Sequence, residues 1–218
     1  MSGLRFPLVC FDLDGTLVDD TIFIWKTLHE QLGTDPVARR EAREDYFAKR
    51  ISYRRWFEID LELMAAVGAT EERIVEVVDQ LRPVTGARET LAELRRRGHA
   101  LAIVSGSLDI VVRRLFGDVE FEHVLINTIE FDERGRIAGG EPTPYDLEGK
   151  ADGLLELCRR EGITAERAAF VGDNSNDLWI ARAAGLSVAF NCKSDELRQV
   201  CDVEVPGDDL QGILRWIC

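Results

Sequence analysis

The stretch "LVCFDLDGTLV", residues 8–18, places two carboxylates directly after a short apolar run. The run over residues 8–10 predicts a strand buried on both faces. Asp12 and Asp14 are two residues apart, which puts both side chains on one side of an extended backbone, and Gly15 permits a sharp turn. Two such carboxylates repel each other unless a divalent cation lies between them or one carries a proton. The stretch therefore predicts a strand whose carboxyl end bears a charged site.

Similar apolar runs alternate with helical patterns along most of the chain. This alternation predicts an α/β fold with a doubly wound parallel sheet, in which ligands bind at the carboxyl ends of the strands. The predicted strands cover residues 7–11, 100–104, 124–128, 168–171, 187–190 and 202–205, and the predicted helices cover 87–97, 108–116, 150–161, 178–184 and 210–217.

Residues 21–82 interrupt the alternation because they contain no strand candidate. Helix start signals occur there at Asp35–Pro36, Ser52 and Thr70. We expect an inserted helical cap domain over residues 21–82, and a core domain formed by residues 1–20 and 83–218. A hairpin is predicted over residues 129–137, with "DERG" at its centre.

The composition limits the possible partners and the compartment. The formal charge is -13, so nucleic acids and anionic membranes would be repelled. No apolar stretch is long enough to span a membrane, and residues 1–7 lack a signal-like apolar region. The five cysteines are odd in number and never form a C-x-x-C pair, which argues against disulfides and zinc. We expect a cytoplasmic protein; the sequence does not predict its oligomeric state.

Three more polar groups are predicted at strand ends. A Ser-Gly-Ser segment at 105–107 precedes the helix predicted from residue 108 and is suited to holding an anion, although an N-cap serine gives the same pattern. Lys150 begins a predicted helix, where the helix dipole disfavours a cation. "VGDNSNDLW" follows another strand and carries Asp173, Asn176 and Asp177. Together these groups predict a site that balances a cation against an oxyanion.

These motifs resemble those of the haloacid dehalogenase-like hydrolases, in particular the phosphoserine phosphatase-like branch. The matching segments are "DLDGT" at 12–16, "VSGS" at 104–107, "GK" at 149–150 and "GDNSND" at 172–177. The resemblance covers essentially the whole chain and implies a Rossmann-like core with an inserted cap. It also implies an enzyme that hydrolyses a small phosphomonoester through an aspartyl-phosphate intermediate.

The resemblance implies roles for single residues. Asp12 would be the nucleophile, and Asp14 the acid that protonates the leaving alcohol and then the base that activates water. Dehalogenases of this fold lack an acid at the second position, so a carbon–halogen substrate is not expected. Ser105, Gly106 and Lys150 would hold phosphate oxygens, and Asn176 would orient the site. Mg²⁺ would be held by Asp12, the backbone carbonyl of Asp14, Asp173 and Asp177.

The match is weaker where the leaving group would be read. The branch usually has a Glu shortly after the first motif and an Arg in the cap, and this chain has Thr21 and Glu58 near those positions. Arg54 or Arg55 could substitute for the Arg. If Glu58 or Asp60 and some of the cap aromatics faced the site, a phosphocholine or phosphoethanolamine substrate would be favoured.

Two further classes remain open. A phosphotransferase would pass the phosphoryl group to an alcohol, which the sequence does not distinguish from hydrolysis. A non-catalytic phosphate-binding module would need Ser105 and Lys150 but not Asp14, so the retained pair of carboxylates argues against it.

Overall fold

The structure is a computed structural model that describes residues 3–19, 21 and 23–218. The predicted domain limits at residues 1 and 20 lie outside the described residues. Within them, a seven-stranded sheet forms the centre of the molecule. Strand β1 (Leu8–Phe11) is its middle strand and pairs in parallel with β4 (Ala100–Leu108) on one side and β7 (Ala168–Gly172) on the other.

The sheet extends outward from these three strands in both directions. Beyond β4 lie β5 (His123–Phe131) and β6 (Ile137–Glu141), and beyond β7 lie β8 (Leu186–Phe190) and β9 (Val203–Val205). All neighbouring pairs are parallel except β5 and β6, which are antiparallel and form the predicted hairpin with longer arms. The doubly wound α/β fold is confirmed.

Both faces of β1 are buried, because successive side chains point to opposite sides of the sheet. Val9 and Phe11 belong to one apolar cluster, and Leu8 and Cys10 belong to another; all four are fully buried. Helices cover both faces. The first cluster includes residues of α5 (Ala87–Arg96), α6 (Asp109–Leu115) and α10 (Leu214–Ile217), and the second includes residues of α7 (Lys150–Glu161), α8 (Leu178–Ala183) and α9 (Asp195–Val200).

The inserted region is helical, as expected. It contains α1 (Ile24–Leu32), α2 (Pro36–Phe47), α3 (Tyr53–Ala66) and α4 (Glu71–Val78). At each predicted helix start, the side chain of the N-cap residue accepts a hydrogen bond from a backbone N–H of the helix. These residues are Asp35 for α2, Ser52 for α3 and Thr70 for α4. We refer to these four helices as the cap; the division of the chain into two domains stays an interpretation.

The chain enters and leaves the cap region through a small antiparallel pair, β2 (Val18–Asp19) and β3 (Arg82–Pro83). The sequence analysis placed no strand between residues 12 and 99. Two-residue strands carry no readable alternation, so this pair was not predicted. The apolar cluster that contains Phe11 continues through the cap residues Leu28 and Met64.

Two other expectations are corrected, and one helix was not predicted. Strand β4 runs to Leu108 and α6 begins at Asp109, so Ser105 does not lie at a helix N-terminus as predicted. The Ser-Gly-Ser segment instead continues the extended backbone, with a shift in register against β5. The predicted helix over 210–217 is a 3₁₀ turn, Leu210–Ile213, followed by α10. Helix α9 was not predicted.

A membrane-spanning helix is not found within the part of the chain that the structure describes.

The N-cap residue Asp35 should contribute measurably to the stability of helix α2. The carboxylate accepts hydrogen bonds from the backbone of Val37 at 2.8 Å and Ala38 at 3.2 Å. We expect Asp35→Ala to lower the free energy of unfolding by about 1 kcal/mol, because two amides at the helix start lose their partner. Denaturant unfolding measures the loss. Glu44→Ala, at an exposed position of the same helix, is the control, and an equal effect of both variants would contradict the assignment.

Candidate active site

The motifs of the sequence meet at the carboxyl edge of the central strand. Strand β1 lies where the order of the sheet reverses, since the chain next adds β4 on one side and later β7 on the other. Such a point is where open α/β sheets bind ligands. The backbone of Asp12 extends the pairing by one residue, because its N–H donates to the carbonyl of Val171 at 3.0 Å. The side chain of Asp12 is therefore placed directly at the crevice.

Lys150 joins two of the predicted acidic residues. Its Nζ lies 2.8 Å from Asp12 Oδ1 and 2.7 Å from Asp177 Oδ1, and all three side chains are buried. Burial alone would lower the pKa of Lys150, but the carboxylates of Asp12 and Asp177 outweigh it and raise that pKa. The pKa of Asp177 is raised to about 7, mainly by burial and then by Asp12. The ammonium is thus held charged between two buried carboxyl groups.

Asp14 has a different environment from Asp12. Its Oδ2 accepts from the backbone N–H of Ile24 at 2.6 Å, and its Oδ1 accepts from Ser107 Oγ at 2.8 Å. Burial raises the pKa of Asp14 to about 7, and the charge of Asp12 adds to the shift. Asp14 therefore carries a proton in part of the molecules near neutral pH, which a general acid requires.

Asp173 is fixed by three neighbours. Thr16 Oγ1 donates to its Oδ1 at 3.2 Å, and Lys193 Nζ lies 2.8 Å from its Oδ2. Gly15 has φ +79°, and a Cβ there would lie 2.5 Å from Asp173 Oδ2. Both the backbone conformation and the close approach require glycine at this turn. Burial, followed by the charge of Asp12, raises the pKa of Asp173 to about 6.

The carboxylates of Asp12, Asp173 and Asp177 fit a divalent cation. Each residue offers one oxygen, and these oxygens lie within 4.8 Å of one another. An all-oxygen set of buried anionic ligands suits a hard cation such as Mg²⁺. Both carboxylate oxygens of Asp14 accept hydrogen bonds, one from Ile24 and one from Ser107. This agrees with the expectation that Asp14 would contact the metal through its backbone carbonyl and not through its side chain.

The site opens into a cavity of about 1040 Å³ between the sheet edge and the cap. Asp12, Asp14, Ser105, Gly106 and Asn176 line it from the core. Many cap aromatics line it as well, and several also pack on one another, as in the 4.8 Å stacked pair of Tyr46 and Trp56. The cavity-lining aromatics of the described chain are Phe23, Trp25, Tyr46, Phe47, Tyr53, Trp56, Phe57 and Trp179.

Thr21 and Glu58, predicted to bind the substrate, are not among the described residues that line this cavity. Thr21 is buried, and its hydroxyl lies 2.8 Å from that of Thr27. Glu58 lies 3.3 Å from Arg55 and borders a separate, smaller cavity. The helical turn explains the difference, because α3 directs Trp56 and Asp60 towards the large cavity. This cavity therefore supports neither assignment, and both stay predictions.

Comparison with known proteins agrees with this arrangement. A family model described as a haloacid dehalogenase-like hydrolase matches residues 6–185. The chain belongs to the haloacid dehalogenase-like hydrolases.

Relatives of this hydrolase family include several phosphoserine phosphatases. That of Methanocaldococcus jannaschii is 27% identical over 213 residues, covering 96% of this chain and 97% of the relative. That of Archaeoglobus fulgidus is 29% identical, but this chain spans only 58% of its length. A solved phosphoserine phosphatase with an analogue of the phospho-aspartyl intermediate has a TM-score of 0.75 at 26% identity, covering 97% of this chain and 98% of the other. The expectation of a phosphoserine phosphatase-like hydrolase is confirmed at this level.

The sequence analysis missed several residues that this hydrolase places at its site. Lys193 follows β8 and holds Asp173, and its signal was available because the chain has only four lysines. Asp146 lines the cavity close to Gly106, where a Cβ on the glycine would lie 2.2 Å from Asp146 Oδ2. Arg39 lines the cavity from the cap, together with Asp60, which the sequence analysis had named only as an alternative to Glu58. Sequence spacing alone gives no signal for which cap residues face the site.

Removal of the Lys150 ammonium should destabilise the folded protein strongly and in a pH-dependent way. Lys150→Met leaves the carboxylates of Asp12 and Asp177 buried without their cation, so we expect a loss of about 3–5 kcal/mol in metal-free protein at pH 8. Raised carboxyl pKa values mean that the folded state binds more protons than the unfolded state between about pH 4 and 7. Folding stability therefore falls as the pH rises through this window. At pH 5.5 these carboxyl groups are largely protonated, so the stability lost through Lys150→Met is smaller than at pH 8.

Denaturant unfolding at the two pH values measures the effect of Lys150→Met. Lys26→Met removes an exposed lysine that lies 3.8 Å from Glu30 and is the matched control. A loss at pH 8 no larger than that of the control would contradict the buried ion-pair assignment.

Proposed function

We propose that this hydrolase cleaves a small phosphomonoester through an aspartyl-phosphate on Asp12, with phosphoserine as the first candidate substrate. The observation that carries the proposal is the unlike environment of the two carboxyl groups. Asp12 is paired with a buried ammonium, whereas Asp14 has its pKa raised to about 7 and is held by two hydrogen bonds. One group suits nucleophilic attack and the other suits proton transfer.

The proposed reaction has two steps. A carboxylate oxygen of Asp12 attacks phosphorus, the bond from phosphorus to the leaving oxygen breaks, and Asp14 gives its proton to that oxygen. Asp14 then takes a proton from water, whose oxygen attacks phosphorus and releases Asp12 and phosphate. Because Lys150 holds Oδ1 of Asp12, we assign the attack to Oδ2.

Preorganised charge supports both steps. We assign the phosphate oxygens to Ser105, the backbone N–H of Gly106 and Lys150, and we assign an orienting role to Asn176, whose Oδ1 is buried and has no hydrogen-bond partner within the described chain. Asp12, Asp173, Asp177 and the carbonyl of Asp14 would hold Mg²⁺, which when bound would offset the repulsion between the nucleophile and the phosphate. The geometry of the three carboxylates supports a divalent cation, and the identity of the metal is part of the proposal.

The cap supports a substrate that carries a carboxylate. Among the described residues, four cations of α2 and of the loop after it line the cavity, Arg39, Arg43, Lys49 and Arg50, against one carboxylate from the cap, Asp60. We assign the substrate carboxylate to Arg39 and its ammonium to Asp60. Arg39 Nε and Asp60 Oδ1 form an ion pair at 3.7 Å but no hydrogen bond, and buried Trp56 Nε1 has no hydrogen-bond partner in the described ranges. Unsatisfied polar atoms are costly to bury, which favours a ligand that pairs with them.

A residue behind Asp60 supports its orientation. His29 Nε2 lies 3.0 Å from Asp60 Oδ1, and His29 Nδ1 lies 2.7 Å from the hydroxyl of Thr34. The cluster is buried between α1, α2 and α3, so Asp60 has little freedom to turn away. The presence of Asp60 and many aromatics also supports phosphoethanolamine or phosphocholine as a second candidate, whereas the excess of cap cations disfavours both relative to phosphoserine.

The wider assignments follow the same proposal. A small phosphorylated molecule is the expected partner. Transfer of the phosphoryl group to an alcohol remains an alternative, because water and an alcohol would use the same Asp14. A purely phosphate-binding module is disfavoured by the raised pKa of Asp14 beside Asp12. We also propose a cytoplasmic location, which is supported by five cysteines that are all free thiols.

The nucleophile is tested by Asp12→Asn. We expect this variant to release no phosphate from phosphoserine in the presence of Mg²⁺ and to form no acid-labile phosphoenzyme, because an amide does not attack phosphorus. It should stay folded, since Lys150 keeps its contact with Asp177. Phosphate release and acid-quench labelling measure the result. The control is Asp118→Asn at an exposed position, and a turnover of Asp12→Asn near that of the control would refute the assignment.

The leaving-group assignments are tested with four substrates that carry both charged groups, one or neither: phosphoserine, phosphoethanolamine, phosphoglycolate and ethyl phosphate. We expect Arg39→Gln to lower kcat/KM by about 10- to 100-fold for the two carboxylate substrates only. Asp60→Asn should do the same for the two ammonium substrates only. Arg40→Gln changes an exposed arginine of the same helix and is the control. Equal losses on all four substrates would show that the cluster only supports the cap.

A further inference from the structure

The carbonyl of Gly106 accepts hydrogen bonds from the cap and from the core at once. Trp25 Nε1, on cap helix α1, donates to it at 2.8 Å, and Asn127 Nδ2, on β5, donates at 2.6 Å. Asn127 is fully buried, and its own Oδ1 accepts from the backbone of Thr143 at 2.7 Å. A carbonyl oxygen has two lone pairs, so both are used. The peptide between Gly106 and Ser107 is therefore held from two sides.

The other end of this peptide reaches the groups assigned to catalysis. The N–H of Ser107 donates to Ser105 Oγ at 3.2 Å, and Ser107 Oγ donates to Asp14 Oδ1 at 2.8 Å. A rotation of the peptide would therefore move the hydroxyl of Ser105 and change the support of Asp14. Fixing the carbonyl of Gly106 fixes the orientation of both.

A second cap helix contacts the same segment. Tyr53, the first residue of α3, donates its hydroxyl to Asp146 Oδ2 at 2.9 Å and accepts from Asn127 Nδ2 at 3.1 Å. The carboxylate of Asp146 lies directly against Gly106. We call Trp25, Tyr53, Gly106, Asn127 and Asp146 the clasp. Two of its members come from different cap helices, and three come from the core.

We infer that the cap takes part in binding the phosphate group as well as the leaving group. The hydrogen bonds from Trp25 and Tyr53 to the core members of the clasp fix the peptide after Gly106 and so position Ser105 for the phosphate. Trp25 and Tyr53 are positioning residues, because each acts through Gly106 or its partners. The inference rests on the proposed function, which assigns Ser105 to the phosphate.

A purely structural role for the clasp makes different predictions. If the two hydrogen bonds only held the cap in place, their loss would lower the free energy of unfolding or change the selectivity between leaving groups. A positioning role instead weakens phosphate binding itself and affects every substrate equally, because all substrates share the phosphoryl group.

The test uses Trp25→Phe and Tyr53→Phe in the full-length chain with Mg²⁺. The first variant removes Nε1 but keeps a ring against Phe57, whose centroid lies 5.6 Å away. We expect each variant to weaken the binding of inorganic phosphate by about 3- to 10-fold, measured by calorimetry. It should lower kcat/KM by a similar factor for phosphoserine and for ethyl phosphate. The double variant should lose less than the product of the two single losses, because the residues share Asn127 and Gly106.

The control is Trp216→Phe, which changes a half-exposed tryptophan in α10, away from the cavity. Phosphate binding at the wild-type level in both clasp variants would overturn the inference, and so would a loss confined to phosphoserine or an equal loss in the control. Calorimetry does not depend on turnover. A wild-type protein that binds phosphate but hydrolyses nothing would refute the proposed function, while the clasp would still be judged by its variants.

Discussion

The site depends on one interaction, the contact of the buried Lys150 ammonium with the carboxylates of Asp12 and Asp177. Asp12 and Asp177 arrive from β1 and from the segment after β7, and their charges would repel without a cation between them. A buried pair of this kind contributes little net stability, because desolvation offsets most of the attraction. We infer that its main effect is to specify geometry, because one ammonium contacts both Asp12 and Asp177 at 2.8 and 2.7 Å. The start of α7, the end of β1 and the turn after β7 are therefore locked together.

The core of this arrangement could be predicted from the sequence because its signals are local. Asp12 and Asp14 follow an apolar run, and Lys150 stands at a helix start that the dipole disfavours. The parallel order of the strands then brings the separate motifs to one edge. The comparisons confirm the hydrolase family and the fold, while the catalytic roles of single residues stay predictions.

The sequence predicted that the cap is helical, but it did not predict which side of each helix faces the cavity. Its helix starts were readable from Asp35 and Ser52, whose capping chemistry involves only the next few residues. Which side of a helix faces the cavity depends on packing against distant elements, so Glu58 was chosen where Asp60 lies. The two-residue strands β2 and β3 were missed because they are too short for a period. The extension of β4 past Ser105 was missed because clusters of glycine and serine usually mark the end of a strand.

The central position of β1 also governs how the molecule fluctuates. Strands β6 and β9 lie at the two sheet edges with one neighbour each, whereas β1 has three strands on either side. Local opening costs least at edges and most at the fully paired centre. The outer strands β6 and β9 can therefore open transiently while β1 stays paired on both sides, so Asp12, the proposed nucleophile, is attached to backbone that we expect to open least.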